Sequence, residues 1–339
     1  ESQYDMFAWD VARFGDWADK AFTKARVGDQ YAKRFAIHFP NEERDAGRPV
    51  RTRPAHALQA ALGGVFGLNY GWEHVQWFAD HPGVKDTNGF TRQNWFEPVG
   101  RECRMLRKAA GIIDISNFAK YRVSGAQAEE WLNAVFANTM PKAVGRSCLT
   151  PLIGVRGGIA GDFTVTRLDE DEFMIIGSGM AERYHQRFWK MVPMPEGVRF
   201  ESLTDALCGF NVAGPKSREL LQHLTNTSLA TGDFPFMRST RIELAGVQCV
   251  ALRVSFTGDL GWELHCKTED QLRLYKALLD CAKDFDAGPV GARALMSLRV
   301  EKGYGSWSRE YSPEYWPQEV GLAGLIKLDK DFLHKEAYL

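Results

Sequence analysis

The sequence of 339 residues has almost no net charge, and this absence narrows its partners. Its 42 lysines and arginines and 43 aspartates and glutamates leave a formal charge of -1 at pH 7. No field of one sign attracts nucleic acid or an anionic membrane surface, and we expect neither as a partner. No run approaches the roughly 18 apolar residues of a membrane-spanning helix, and the acidic start does not resemble a signal peptide. A small neutral or zwitterionic substrate and a soluble protein fit this composition.

Disulfide and metal-binding patterns are also missing. The six cysteines include no CxxC pair, and several lie in apolar runs, where a thiol packs as a small hydrophobic group. We interpret them as reduced, buried thiols. The eight histidines form no HxxxH or HxH pattern. We therefore expect no metal site.

Familiar hydrolase and nucleotide-binding motifs are absent as well. The sequence has no GxSxG elbow and no Walker loop. Gly177-Ser178-Gly179 comes nearest to the GxGxxG fingerprint, but Glu182 stands where the third glycine should be. We expect no dinucleotide bound by the usual route.

Apolar and aromatic residues are abundant enough for a large core, at 45% hydrophobic and 12% aromatic. The length suggests two or three domains. Large rings recur among charged residues through residues 1–97, which predicts a packing or docking segment, with residues 81–89 as the best linker candidate. Beyond it, strands interrupted by helices predict an α+β fold with domains at 98–197 and 198–339.

Local patterns predict the individual elements. Helices are expected near 10–33, 56–63 and 98–110, and at 181–191, 214–224, 268–284 and 289–302. Another helix is expected to follow the strand 120–125 and to end at about 137. Strands are expected at 120–125, 149–155, 162–168, 172–177, 210–212, 240–244 and 250–256, and the pair 149–155 and 162–168 should form a hairpin.

Asp162 is the first candidate for chemistry. It follows Gly157, Gly158 and Gly161 and opens an apolar strand, so the backbone can bend sharply and a flat ligand can approach closely. A carboxylate next to Phe163 should be partly desolvated, which favours proton uptake or a charged hydrogen bond to a ligand nitrogen. The alternative is a turn aspartate that caps its own loop.

Glu263 is the second candidate. On an alternating strand its side chain points away from those of Trp262 and Leu264. Facing a cleft, it could accept two hydrogen bonds from the amidine-like edge of a heterocycle; facing solvent, it would be an ordinary strand glutamate. Arg293 and Arg299 lie on different faces of one predicted helix, where either a ligand carboxylate or plain solvent would satisfy them.

Several ordered motifs point to a family. They are residues 110–116 with Lys120, and residues 156–167, 255–263, 292–304 and 327–330. Together they resemble the glycine-cleavage T-protein, an aminomethyltransferase that uses tetrahydrofolate, and especially its version in the C-terminal half of dimethylglycine and sarcosine dehydrogenases. Residues 10–77 look like the central segment that joins the flavin part of those dehydrogenases to the folate part.

The resemblance implies a fold and a reaction. It implies two T-protein-like α+β domains after a mixed, aromatic-rich central segment. A flavin domain would oxidise an N-methyl group of a methylated amine, and this region would capture the one-carbon unit on tetrahydrofolate as 5,10-methylenetetrahydrofolate. Asp162 matches the family aspartate beside the reactive N5/N10 region, and Glu263 matches the glutamate that grips the pterin edge.

The resemblance also implies three further folate contacts. Thr164 would add a polar contact. Phe256 stands where the family often has tyrosine, so its ring would pack on the pterin without the hydroxyl contact. Arg299 is the candidate for the folate carboxylates.

The family pattern includes parts that this sequence lacks, namely the FAD-containing N-terminal domain and a third, β-rich domain. We therefore expect a piece of a longer protein, inactive by itself in amine oxidation, that packs against a flavin-binding domain of the same chain or of a partner. Bacterial cytoplasm and mitochondrial matrix are equally compatible locations.

Two other functions stay open. One is a flavin-free, folate-dependent demethylase or methyltransferase, against which the segment 10–77 argues. The other is a non-catalytic assembly module, against which the retained Asp162 and Glu263 argue.

Overall fold

The computed structural model describes residues 9, 11 and 14–339. The helices are α1 Lys20–Ala32, α2 His56–Ala61, α3 Phe96–Lys108, α4 Ala128–Val135, α5 Glu182–Trp189, α6 Ser217–Gln222, α7 Gln271–Ala282, α8 Ala292–Glu301 and α9 Lys335–Tyr338. The strands are β1 Gly64–Asn69, β2 Trp72–Phe78, β3 Gly111–Asp114, β4 Ala119–Ser124, β5 Ser147–Ile153, β6 Ile159–Asp169, β7 Glu172–Gly177, β8 Arg199–Ser202, β9 Leu207–Ala213, β10 Ser239–Leu244, β11 Val247–Leu252, β12 Gly261–Lys267 and β13 Gly288–Val290. No helix in this described part has both the length and the apolar character needed to cross a bilayer.

Two large sheets and a separate two-stranded sheet organise the described residues. The six-stranded sheet has the order β10-β11-β12-β9-β3-β13, the five-stranded sheet has the order β5-β6-β7-β4-β8, and β1 pairs with β2. The β13–β3 pairing is parallel, whereas the other pairings are antiparallel. Helices and mostly antiparallel sheets confirm the α+β prediction.

Each large sheet buries one face in its own core. In β12, alternation sends Trp262 and Leu264 into a core shared with α6 and α7. In β6, the same alternation sends Phe163 and Val165 into a core shared with α4 and α5. The intervening residues of both strands therefore face away from these cores.

The opposite faces of the two sheets meet in an apolar layer. Met174 and Ile176 of β7 pack there with Leu252 of β11. Partly buried side chains complete this interface layer, which consists of Met174, Ile176, Leu252, Phe118, Leu168, Leu207, Val250 and Val254. The two sheets thus pack face to face, with side chains from both filling the space between them.

Arg53 anchors the N-terminal segment to the folded body. Its Nη2 donates to the carbonyl oxygens of Thr204 at 2.6 Å and Ser116 at 3.3 Å, and its Nη1 donates to the carbonyl oxygen of Asp205 at 3.1 Å. The guanidinium lies 3.5 Å from the centre of the Trp72 ring. This buried cation is therefore held by backbone acceptors and one aromatic face.

Glu102 of α3 joins three elements. Its Oε1 accepts a 2.7 Å hydrogen bond from Phe78 N in β2, and its Oε2 accepts a 2.8 Å bond from Gly291 N at the start of α8. Burial raises the pKa of Glu102 to about 7, against the opposing effect of the two N–H donors.

Most local predictions are confirmed, including the 149–155 and 162–168 hairpin and the strand at 172–177. The predicted strand 250–256 is too long, because β11 ends at Leu252. Beyond it, the Ser255 hydroxyl accepts from Thr257 N, a local bond that competes with strand pairing. The helix predicted near 10–33 begins at Lys20, and residues 10, 12 and 13 lie outside the described residues.

Long-range pairing was not predicted. The helix expected over 289–302 begins at Ala292, and residues 288–290 form β13, which pairs with β3. The helix expected from 214 begins at Ser217. Strand β3, within the predicted 98–197 domain, joins the sheet formed mainly by residues 198–339. The domain limits 1–97, 98–197 and 198–339 stay a prediction.

Candidate functional site

A tight glycine turn precedes Asp162. Gly157 has a φ of +82°, a backbone conformation that disfavours other residues. A Cβ on Gly158 would lie 2.3 Å from the Pro313 carbonyl oxygen, and a Cβ on Gly161 would lie 2.8 Å from the His185 ring. The glycines are therefore required by close packing around the hairpin as well as by its bend.

Asp162 lies half-buried at the start of β6. Burial raises the pKa of its carboxyl to about 6. No lysine or arginine of the described chain forms an ion pair with it. Its charge raises the pKa of Tyr311, after the larger effect of burial, so this phenol lies nearby. The carboxyl can thus exchange a proton close to neutral pH.

Glu263 lies in the middle of β12 and is buried, at 8% exposure. It is opposite Leu252 of β11 and Asn211 of β9. Asn211 donates through Nδ2 to the Val254 and Trp262 carbonyl oxygens and accepts from Ser255 Oγ at 3.1 Å. The backbone around Glu263 is therefore fixed on both sides.

Strand register directs both carboxylates toward the interface layer. Glu263 shares a face with its partner Leu252, which belongs to that layer. In the other sheet, Thr164 pairs with Ile176, another member, and Asp162 lies two residues from Thr164 on the same face. The two sheets therefore present Asp162, Thr164 and Glu263 toward the space between them.

Lys120 is a functional candidate that residue patterns alone did not identify. It pairs with Ile176 and shares its face, and it is fully buried. Its Nζ donates to the Ser116 and Phe118 carbonyl oxygens at 3.1 and 2.9 Å. Burial lowers the pKa of Lys120 to about 8, with a smaller lowering effect from Arg53 and opposing effects from Cys208, Asp114 and Glu263. A lysine between Ala119 and Tyr121 in an apolar strand was the available signal.

Phe256 lies half-buried beyond the end of β11. Its ring is nearly parallel to that of Tyr304, with 19° between the planes and 6.4 Å between the centroids. It also packs against the cluster that contains Phe118 and Ile115. Phe256 and Tyr304 thus offer flat apolar surface near the ends of β11 and α8.

Arg299 is placed differently from a free anion-binding side chain. It is 3% exposed, and its Nη1 donates to the Tyr304 carbonyl oxygen at 2.8 Å and to the Glu310 carboxylate. Arg299 therefore fastens the loop 303–311 to α8. Arg293, on another face, pairs with Asp86 at 2.6 Å. The role predicted for Arg299 stays a prediction.

The segment 303–316 covers the Asp162 hairpin, although it has little regular structure. Ile159 N donates to the Tyr315 carbonyl oxygen at 3.0 Å, and the Trp307 ring contacts His185 with 5.1 Å between centroids. After the larger effect of burial, the charge of Asp162 raises the pKa of Tyr311 and the charge of Arg299 lowers it. This segment brings Asp162 and the Arg299 loop into one neighbourhood.

Comparison with protein families gives two matches. The GCVT N-terminal domain matches residues 55–330, and the FAD dependent oxidoreductase central domain matches residues 1–52. The solved glycine cleavage system aminomethyltransferase T from Bartonella henselae superposes with a TM-score of 0.71 at 22% identity, covering 85% of this chain and 73% of that chain. This likeness shows the fold.

Curated relatives cover nearly the whole chain. Mouse mitochondrial dimethylglycine dehydrogenase is 33% identical over 99% of this chain and 39% of its own length. The 4-methylaminobutanoate oxidase (formaldehyde-forming) of Paenarthrobacter nicotinovorans is 32% identical over 99% of this chain and 41% of its own length. The mouse mitochondrial pyruvate dehydrogenase phosphatase regulatory subunit is 26% identical over 99% and 39%. The chain therefore spans about two fifths of the length of these relatives.

Proposed function

The chain belongs to the GCVT N-terminal domain family, and from this premise we propose that it captures a one-carbon unit on tetrahydrofolate. The product would be 5,10-methylenetetrahydrofolate, formed with loss of water from formaldehyde and the N5 and N10 amines. When bound, tetrahydrofolate supplies these two nucleophilic nitrogens. The residues of this chain bind and orient the cofactor and handle the proton.

The residues between the sheets fit a reduced pterin. Glu263 is a buried carboxylate that forms no ion pair with a lysine or arginine of the described chain. A buried carboxylate needs hydrogen-bond donors, and the amidine-like edge of a pterin offers two N–H groups side by side. We assign Glu263 to that edge and the half-buried Phe256 ring to packing on the pterin face.

Asp162 is the proposed catalytic residue. Its carboxyl, with a pKa raised to about 6 by burial, accepts a proton from a reacting amine near neutral pH. The same carboxyl orients the cofactor. Thr164, two residues along the same strand face, adds a polar contact. For Arg299 the proposed contact with the folate carboxylates rests on the family resemblance alone, because the side chain is buried and Nη1 already donates to the Tyr304 carbonyl oxygen and to Glu310.

The wider reaction would involve a flavin-binding domain. Residues 1–52 match the FAD dependent oxidoreductase central domain, and the relatives include dehydrogenases and oxidases of N-methylated amino acids. We propose that this chain packs against such a domain, of its own chain or of a partner, which holds FAD and oxidises a methylated amine. Mitochondrial matrix or bacterial cytoplasm stays the predicted location.

The observation that carries the proposal is the placement of Asp162 and Glu263 on facing sheets. It is tested by titrating the chain with 5-formyltetrahydrofolate and following tryptophan fluorescence. Asp162→Ala and Glu263→Ala should each weaken binding at least about tenfold, equivalent to about 1.4 kcal/mol. The exposed residues Asp169, on the same strand as Asp162, and Glu243, on the same sheet as Glu263, provide matched controls as Asp169→Ala and Glu243→Ala. Equal binding by all four variants would contradict the proposal.

A second candidate is a regulatory or assembly module. The observation that favours it is the similarity to a relative described as a regulatory subunit, which extends over 99% of this chain. Folate binding separates the two functions, because a module that has lost the cofactor should show no saturable binding. A flavin-free demethylase is less compatible with the match of residues 1–52.

A further inference from the structure

Next to Glu263, the same face of β12 carries a second buried polar side chain, His265. Its Nε2 lies 3.5 Å from Glu263 Oε2, and the residue is 2% exposed. Neither ring nitrogen has a hydrogen-bond partner in the described part of the chain. Buried polar groups are usually satisfied, so this pair needs an explanation beyond packing.

The imidazole of His265 lies in a space that a glycine provides. Gly209 of β9 is its cross-strand partner, and a Cβ at Gly209 would lie 2.9 Å from His265 Nδ1. Ile115 borders the same space, with its Cγ1 3.1 Å from that Cβ position. The ring is thus restricted on its Nδ1 side, while Nε2 is directed to Glu263.

The neutral form of the His265 imidazole can donate a hydrogen bond to Glu263. Burial lowers its pKa, with a smaller raising effect from Glu263 and a lowering effect from Lys120. A neutral imidazole has one N–H donor and one acceptor nitrogen. A proton on Nε2 can therefore be shared with Glu263 while the carboxylate keeps its negative charge.

We propose that His265 is a positioning residue for ligand recognition by Glu263. Its Nε2–H donates to Oε2 and fixes the plane of the carboxylate, so that the carboxylate edge is ready for the paired N–H groups of a pterin. The separation of 3.5 Å between Nε2 and Oε2 lies at the outer limit of a hydrogen bond, so this donation needs a shift of only a few tenths of an ångström. This inference rests on the proposed function.

The test is a double-mutant cycle measured with 5-formyltetrahydrofolate on the full chain. His265→Phe, which keeps an aromatic ring without a donor, should weaken binding about fivefold to tenfold. In the Glu263→Ala background, the same substitution should have no further effect, because the group that it positions is gone. His265→Gln, whose amide can donate from nearly the position of Nε2, should recover most of the affinity.

A second pair of variants moves the ring without removing it. Gly209→Ala should press on the imidazole and weaken binding, whereas Gly232→Ala, with no atom within 4 Å of the new Cβ, should leave binding unchanged. Thermal unfolding of each variant checks that the protein is folded. If His265→Phe does not fold, His265→Gln and Gly209→Ala still test the inference.

The outcomes separate the two proposals. No saturable binding by the unaltered chain would overturn the proposed function and this inference with it. Binding that His265→Phe leaves unchanged, or weakens equally with and without Glu263, would overturn the positioning role alone. The positioning role would be supported if His265→Phe weakens binding only when Glu263 is intact and if His265→Gln recovers the affinity.

Discussion

Glu102 gives the sharpest test of the electrostatics of this fold. Burial raises its pKa from 4.5 to about 7, so the folded state binds a proton more tightly than the unfolded state. The free energy of unfolding should therefore fall as the pH rises from about 4.5 to about 7. Each tenfold change in proton affinity corresponds to about 1.4 kcal/mol, which places the total loss at about 3 kcal/mol.

The assay is urea unfolding at pH 5, 6, 7 and 8 of the unaltered chain and of Glu102→Gln, which cannot titrate. Relative to this variant, the unaltered chain should lose about 2.5 kcal/mol between pH 5 and pH 8, because the titration has already begun at pH 5. Glu97→Gln, at an exposed position of the same helix, should follow the unaltered chain. A flat difference between the unaltered chain and Glu102→Gln would refute the reasoning. It would mean that the N–H groups of Phe78 and Gly291 keep the carboxylate ionised throughout.

Three more outcomes are expected. Burial raises the pKa of Asp162 to about 6, so above that pH the buried charge destabilises the folded state. Asp162→Asn should therefore raise the thermal midpoint at pH 8. The same variant should weaken the binding of 5-formyltetrahydrofolate. Arg53→Met should lower the free energy of unfolding by about 2 to 4 kcal/mol in urea, because the buried Thr204 carbonyl oxygen loses its donor and the Trp72 ring loses one of the two guanidinium groups beside it. Gly291→Ala should abolish soluble expression, because the new Cβ would lie 2.3 Å from the Gln76 carbonyl oxygen, whereas Gly324→Ala, with open space, should express normally.

Local patterns were sufficient to predict the positions of the two carboxylates along their strands. The glycines before Asp162 predicted the turn, and the alternation around Glu263 predicted that its side chain lies opposite to Trp262 and Leu264. Both signals are local, because turn geometry and strand alternation depend on a few adjacent residues.

Contacts between distant segments could not be predicted in this way. The pairing of β3 with β13 joins residues 111–113 to residues 288–290, and no local pattern encodes that choice. The segment 303–316 lacks periodicity, so its packing over the Asp162 hairpin had no signal. The contact of His265 with Glu263 was visible only as an i, i+2 spacing, which is common in strands.

The interface layer has a consequence for how such a site can diverge. Asp162 and Glu263 belong to different sheets, and side chains such as Ile176 and Leu252 fill the space between those sheets. A change of volume at either position would widen or narrow the gap without altering an acidic group. Ligand size could therefore be retuned from inside this layer while both carboxylates, and the strands that carry them, are inherited unchanged.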